Sequence, residues 1–411
     1  MNRTRKVSST AALGTAAVMA AMMNTTSVAA AEQSVPLPDD CPALVVLGVQ
    51  GTGESSPIAD PMAQTGMLGS VLGPITASGG DVQRILVPYE ASFGGIIGTG
   101  PETAPFAESA AQATARLDAT AAGVAAHCPD SMLAVTGYSQ GAGVVSDFAR
   151  RVGAGEGPVP TDRIAGVAVL ADWTRPPGGE VFPGRPGQRS PDAPPGTDGT
   201  ATSEVTFAPV PSSGGIASDT KTFGDLTGRV AQVCIGGDLS CDAPANAAVL
   251  RVAAGVAART DFRDPLSAAA SAGAAWSATV EAAVTHVLLN DVRVGAGGVN
   301  YAPRATVSER MADAAVSPHA APTPQESQAA ADVAEQVAAA VAADPLGQIP
   351  RIAGQVVAAV APNAAVNSDV VNPAVLARYS DVIARHTGYN TQPQVAQWLD
   401  AMSRDLTGGP R

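Results

Sequence analysis

Continuous apolar runs, rather than alternating ones, mark the first part of the chain. Residues 41–49 (CPALVVLGV), 85–87, 132–135, 164–171 and 228–234 each read as a strand covered on both faces. Between them the spacing turns helical. Residues 107–126 carry an Ala/Leu/Val face, and after Gly141 the apolar positions are Val144, Val145, Phe148 and Val152. Strands alternating with helices in this way predict an α/β fold with a doubly wound, mostly parallel sheet.

The pattern then changes twice. Residues 174–218 are rich in Pro, Gly, Ser, Asp and Thr, which predicts a long surface loop without a core of its own. From residue 243 the chain is rich in Ala and Val, with helical stretches at 246–258, 265–290 and 328–343 and a loop around 295–324. A helix over 373–386 follows. The last is amphipathic, over 394–406, with Val395, Trp398, Leu399 and Met402 on one face. The expected organisation is a leader (1–31), an α/β core (32–242), a helical insertion (243–375) that serves as a lid or a docking subdomain, and a return to the core (376–411).

The N-terminus changes the expected compartment. Arg3, Arg5 and Lys6 precede an apolar stretch over 11–23, and the run Val28-Ala29-Ala30-Ala31 offers a small-residue cleavage site near residues 30–31. This is a secretory leader pattern. No later stretch is apolar for the ~18 residues a membrane helix needs, so the mature chain is expected to be exported, extracellular or at the cell envelope, without a transmembrane segment. In an oxidising compartment the 4 cysteines have a structural meaning. Three pairings are possible. Cys234 and Cys241 close a short loop and are paired, which leaves Cys41 with Cys128. A net charge of −13 argues against nucleic acid as a partner, and neither a metal site nor a cofactor is expected.

The chemistry centres on Gly137-Tyr138-Ser139-Gln140-Gly141, a G-x-S-x-G between a predicted strand and a predicted helix. Such a turn lifts its serine clear of the sheet edge, beside the unpaired N–H groups of the helix start. A serine so placed needs a base, and the base needs an orienting carboxylate. Of the histidines after Ser139, His386 is favoured because it stands at a helix end. His286, inside a helical run, and His319, in a loop, are the alternatives, and His127 reads as structural. For the acid, Asp238 follows a buried strand between Cys234 and Cys241, with Asp242 and Asp172 as alternatives.

These residues carry a resemblance to the cutinase family of secreted serine esterases, in particular the cutinase-like proteins of actinobacteria. The matching stretches are Cys41-Pro42 with Gly51-Thr52-Gly53-Glu54, and Cys128-Pro129-Asp130 with the serine motif. Cys234-x3-Asp238-x2-Cys241 and His386-x2-Tyr389 complete the set. The resemblance implies an α/β-hydrolase with Ser139 as nucleophile, Asp238 as acid and His386 as base. It implies an oxyanion hole built from the N–H of Gln140 with the N–H and hydroxyl of Thr52, and the same two disulfides. The implied substrate is a carboxylic ester with an apolar, lipid-like or envelope acyl chain, hydrolysed through an acyl-enzyme. Transfer of the acyl group to a sugar or other alcohol is the alternative, and a non-catalytic envelope protein on a hydrolase scaffold is the second. The chain departs from the family in two places. A long insertion separates Asp238 from His386, and the first loop reads Val49-Gln50-Gly51 where the family has an Ala-Arg-Gly-like run.

Overall fold

The computed structural model describes residues 35–77, 80–316 and 321–408. The leader sequence and His319 lie outside the described residues.

Five strands form one parallel sheet: β1 (Leu44–Val49), β2 (Val82–Leu86), β3 (Met132–Tyr138), β4 (Ile164–Leu170) and β5 (Val230–Val233). They lie in the order β2-β1-β3-β4-β5. Every strand was expected, although β5 is shorter than its apolar run. Both faces are covered. Val45, Leu47 and Val49 pack with Leu117 of helix α2 (Phe106–His127) and Phe148 of helix α3 (Gln140–Gly153). Leu44 and Val46 point the other way, into a core shared with Leu68 and Leu72 of helix α1 (Gly66–Ala77) and with Trp398. The sheet is therefore doubly wound, as the continuous apolar runs require.

The loop after β4 departs from expectation. It is irregular apart from the single turn α4 (Thr200–Ser203) and a 3-10 turn at Gly224–Leu226, yet Val181, Phe182, Val205 and Phe207 from it are buried. Phe182 and Phe207 pack edge-on against Trp398, with ring centroids 6.2 and 5.6 Å away. The backbone N–H groups of Ala201 and Thr202 donate to Asp405 at 2.7 and 2.9 Å. A few aromatic anchors and a buried carboxylate thus give a Pro/Gly-rich loop a core that its composition hides.

The helical segment comprises α5 (Ala248–Ala257), α6 (Pro265–Asp291), a hairpin of β6 (Val292–Gly295) and β7 (Gly298–Tyr301), α7 (Val307–Val316), α8 (Pro324–Ala343) and α9 (Pro345–Val360). The loop expected around 295–324 is therefore a correction, because it holds β7 and α7. Asp291 at the end of α6 pairs with Arg310 of α7 at 2.8 Å, a buried anchor invisible to periodicity. A 3-10 stretch, Ala361–Val371, leads back to the core. The single helix expected over 373–386 is two, α10 (Pro373–Arg378) and α11 (Val382–Thr387). The break lets Arg378 and Tyr379 reach Asp242 while His386 reaches Asp238. Helix α12 (Gln392–Gly408) closes the sheet face with its Trp398 stripe. Among the described residues no helix is long and apolar enough to cross a membrane.

Candidate active site

Ser139 occupies the turn between β3 and α3, with φ 54° and ψ −117°. A side chain rarely adopts that region, and the surroundings must hold it there. They do so by close approach. A Cβ on Gly137 would strike the carbonyl of Gly141, and one on Gly141 would strike the carbonyls of Val49 and Gln50. The Ser139 N–H is fixed by the Leu170 carbonyl at 3.0 Å. Glycine at 137 and 141 is thus a steric requirement of the turn.

His386 Nε2 lies 2.8 Å from Ser139 Oγ, and its Nδ1 lies 2.9 Å from Asp238 Oδ1. A carboxylate only accepts, so Nδ1 carries the proton and Nε2 is left to accept from the serine hydroxyl. The Asp238 carboxylate is fully buried, while His386 keeps about a quarter of its side chain accessible (26%). Asp238 is also held by the Ser240 N–H on Oδ1 (3.0 Å) and by the Tyr389 hydroxyl on Oδ2 (2.7 Å). The disulfide Cys234–Cys241 closes the loop that carries it, and Cys41–Cys128 ties the start of β1 to the end of α2.

Two tyrosines complete the surround. Tyr138 stacks on the His386 ring (centroids 5.4 Å, interplanar 27°) and donates to the His386 carbonyl at 2.8 Å. Burial holds the Tyr389 phenol well above its usual range, and the neighbouring Asp238 charge adds to this. It is therefore a protonated donor at neutral pH. Sequence reasoning gave neither tyrosine a role, although the spacing His386-x2-Tyr389 held the signal for one.

On the other side of Ser139 stands Gln140, the first residue of α3, whose N–H has no partner one turn back. Its side chain is fully buried. It donates to the Phe106 and Ser92 carbonyls (3.0 and 3.3 Å) and accepts from the Thr52 hydroxyl (3.2 Å). The hydroxyl of Thr52 therefore serves as a clamp on Gln140, and its backbone N–H has no protein acceptor among the described residues. Glu54 shapes the Thr52 loop by accepting from the N–H groups of Gly51 (3.1 Å) and Met67 (2.9 Å). Gln50, at the departure from the family pattern, is buried and donates to the Thr65 carbonyl at 2.8 Å.

The alternatives are engaged elsewhere. Asp242 pairs with Arg378 and accepts from the Gly237 N–H (2.8 Å). Asp172 accepts from Gln232 (2.6 Å) and from Ser146 (2.5 Å). His286 lies on α6, within electrostatic reach of Asp313 and Glu326. His127 contacts the Pro38 carbonyl at 3.1 Å. Cys41, His127 and Cys128 come close together, but the two sulfurs are bonded to each other and so offer no thiolate to a metal.

A family model described as Cutinase matches residues 40–253, just over half of the sequence. The chain belongs to the cutinase family. It is accordingly a carboxylic ester hydrolase. Among curated proteins it is similar to a carboxylesterase Culp6 homolog of Corynebacterium glutamicum, with 32% identity over 223 residues that cover 51% of this chain and 68% of that protein. Among solved structures it is similar to the catalytic core domain of acetyl xylan esterase from Trichoderma reesei (17% identity, TM-score 0.36, covering 57% of this chain and 99% of that one). A cutinase-like protein from Cryptococcus sp. is a further similar structure (19% identity, TM-score 0.33, covering 50% and 82%). The cutinase match holds Ser139 and Asp238 and stops well before His386.

Proposed function

We propose that this cutinase-family chain hydrolyses carboxylic esters with apolar acyl chains through an acyl-enzyme on Ser139. The observation that carries the reading is the hydrogen-bonded series Ser139–His386–Asp238. His386 Nε2 takes the hydroxyl proton as Oγ attacks the ester carbonyl, and the Asp238 carboxylate stabilises the resulting imidazolium. The tetrahedral oxyanion accepts from the N–H groups of Gln140 and Thr52. His386 returns its proton to the alcohol oxygen as the C–O bond breaks. Water, activated by the same nitrogen, then adds to the acyl carbon, and the acid leaves as Ser139 regains its proton.

Export belongs to the same proposal, supported by the leader pattern and the two disulfides, with envelope-borne acyl esters as the class of material met outside the cell. The helical segment over 243–375 is proposed to set acyl specificity, since it enters the chain between acid and base. Ser139→Ala is expected to lower kcat on p-nitrophenyl butyrate by at least ~10⁴ and to abolish labelling by a fluorophosphonate. Full activity in that variant overturns the mechanism. Product analysis with an added alcohol decides between hydrolysis and acyl transfer: free acid as the main product is the expected result, and a dominant new ester would overturn it.

A further inference from the structure

A cavity of about 700 Å³ opens within the helical segment, between α5, α6 and α7. Val252, Val256, Ala272, Trp276, Met311 and Phe262 contribute to its wall, and none of its lining side chains is charged. Its volume lies in the range of small-molecule sites. The surface is apolar and open, with Trp276 half exposed, and water is displaced from it more favourably by a hydrocarbon ligand than by a polar one.

The cavity is joined to the serine by a row of rings. Phe262, in the cavity wall, stacks on Phe93 (6.2 Å between centroids). Phe93 meets Phe106 at 5.2 Å, and Phe106 meets Trp173 edge-on at 5.5 Å. The Trp173 indole N–H donates to the Gln140 carbonyl at 3.4 Å, at the residue next to Ser139. All four residues are only half-buried. The backbone follows the same line. Phe262 N–H donates to the Gly94 carbonyl (2.6 Å), and Ala107 N–H to the Ala258 carbonyl (2.8 Å). Gln140 in turn holds the Phe106 carbonyl at 3.0 Å.

Resting on the ester hydrolase reading above, we propose that the α5–α6–α7 cavity, reached from Ser139 along Trp173, Phe106, Phe93 and Phe262, binds the distal part of a long aliphatic acyl chain. A flexible, extended group is what can hold its carbonyl at Ser139 and its tail beyond a row of rings. A compact acyl group such as acetyl or butyryl does not extend past Trp173. Each methylene that enters such a cavity is worth at most about fourfold in kcat/KM. The cavity therefore separates long from short esters.

The test has two arms. Ala272→Trp, which fills the cavity, is expected to lower the ratio of kcat/KM for p-nitrophenyl palmitate over butyrate at least ~10-fold relative to the parent chain. A ratio within about twofold of the parent value, with both esters still turned over, overturns the proposal. The second arm does not depend on turnover: a diazirine-bearing palmitate is photo-crosslinked to the Ser139→Ala chain and the adducts are mapped by mass spectrometry. Adducts on α5, α6 or α7 are the expected result, and adducts confined to other parts of the chain overturn the cavity assignment. A parent chain that turns over neither ester refutes the function proposed above and leaves the crosslinking arm to decide the cavity on its own.

Discussion

The phenol of Tyr389 holds the second oxygen of a buried carboxylate whose first oxygen orients a histidine. Removing it leaves Asp238 Oδ2 short of its donor, at a cost of about 1–3 kcal/mol for an unsatisfied buried group. Tyr389→Phe is therefore expected to lower kcat on a short ester by about tenfold with little change in KM. A wild-type kcat would show that Ser240 and the loop fix Asp238 unaided. The same residue predicts an alkaline signature. Burial raises its folded-state pKa well above the ordinary value of about 10, whereas the unfolded chain titrates near that value. The stability it contributes is fully present below pH ~10 and is lost as pH rises from there towards the folded-state value. Urea unfolding at pH 8 and pH 11 is expected to fall less steeply for Tyr389→Phe than for the parent. The slope that remains comes from Tyr89, Tyr138, Tyr379 and Tyr301, whose phenols burial also raises.

At the scale of elements, the two disulfides divide their labour. Cys41–Cys128 spans 87 residues and Cys234–Cys241 only 7. Loop-closure entropy makes the first worth about 4.5 kcal/mol and the second about 2.5 kcal/mol. Replacing Cys41 and Cys128 by alanine is expected to cost more in melting temperature. Replacing Cys234 and Cys241 is expected to cost more in kcat, by about 10- to 100-fold, because that ring carries Asp238. Melts and ester turnover on the two double variants decide this, and the opposite ordering would remove the ring's positioning role. The strands, α2, α3, α12 and the Cys234–Cys241 pair were legible because each rests on a local pattern or a short spacing, whereas Cys41–Cys128 was left by elimination and the Ser139–His386–Asp238 grouping came from the order of the residues in the chain and the family resemblance. Helix α1 was not: Gly69, Gly73 and Pro74 break its pattern, and only the burial of Leu68, Val71, Leu72 and Ile75 against the sheet makes it helical. Helix α7 and its hairpin were hidden for a related reason, being fixed by contacts such as Arg310 with Asp291 and Gln348 with Val299. The break between α10 and α11 belongs to Asp242, a residue more than a hundred positions away.

Across the whole molecule, burial is uneven. Strands β1 and β4 are buried throughout, whereas α8 buries only Ala330 and α9 only Gln348 and Ala359. Regions with little buried apolar surface open at lower free energy than the core. Native-state hydrogen exchange is expected to release amides of α8 and α9 at least ~100-fold faster than those of β1, β3 and β4. Equal protection would mean that the helical segment opens only with the sheet, as one cooperative unit with it.

In the mechanism proposed above, the distance along the chain between nucleophile and base has a temporal meaning. His386 follows Ser139 by 247 residues and Asp238 by 148. At a synthesis rate of about 5–20 residues per second, the serine leaves the ribosome roughly 12 to 50 seconds before its base. Throughout that interval the serine stands in a nascent chain without its proton acceptor, and the acid loop joins it only part-way through, since Asp238 lies between the two in the chain. A hydrolase assembled in this order stays chemically silent until its C-terminal helices have docked.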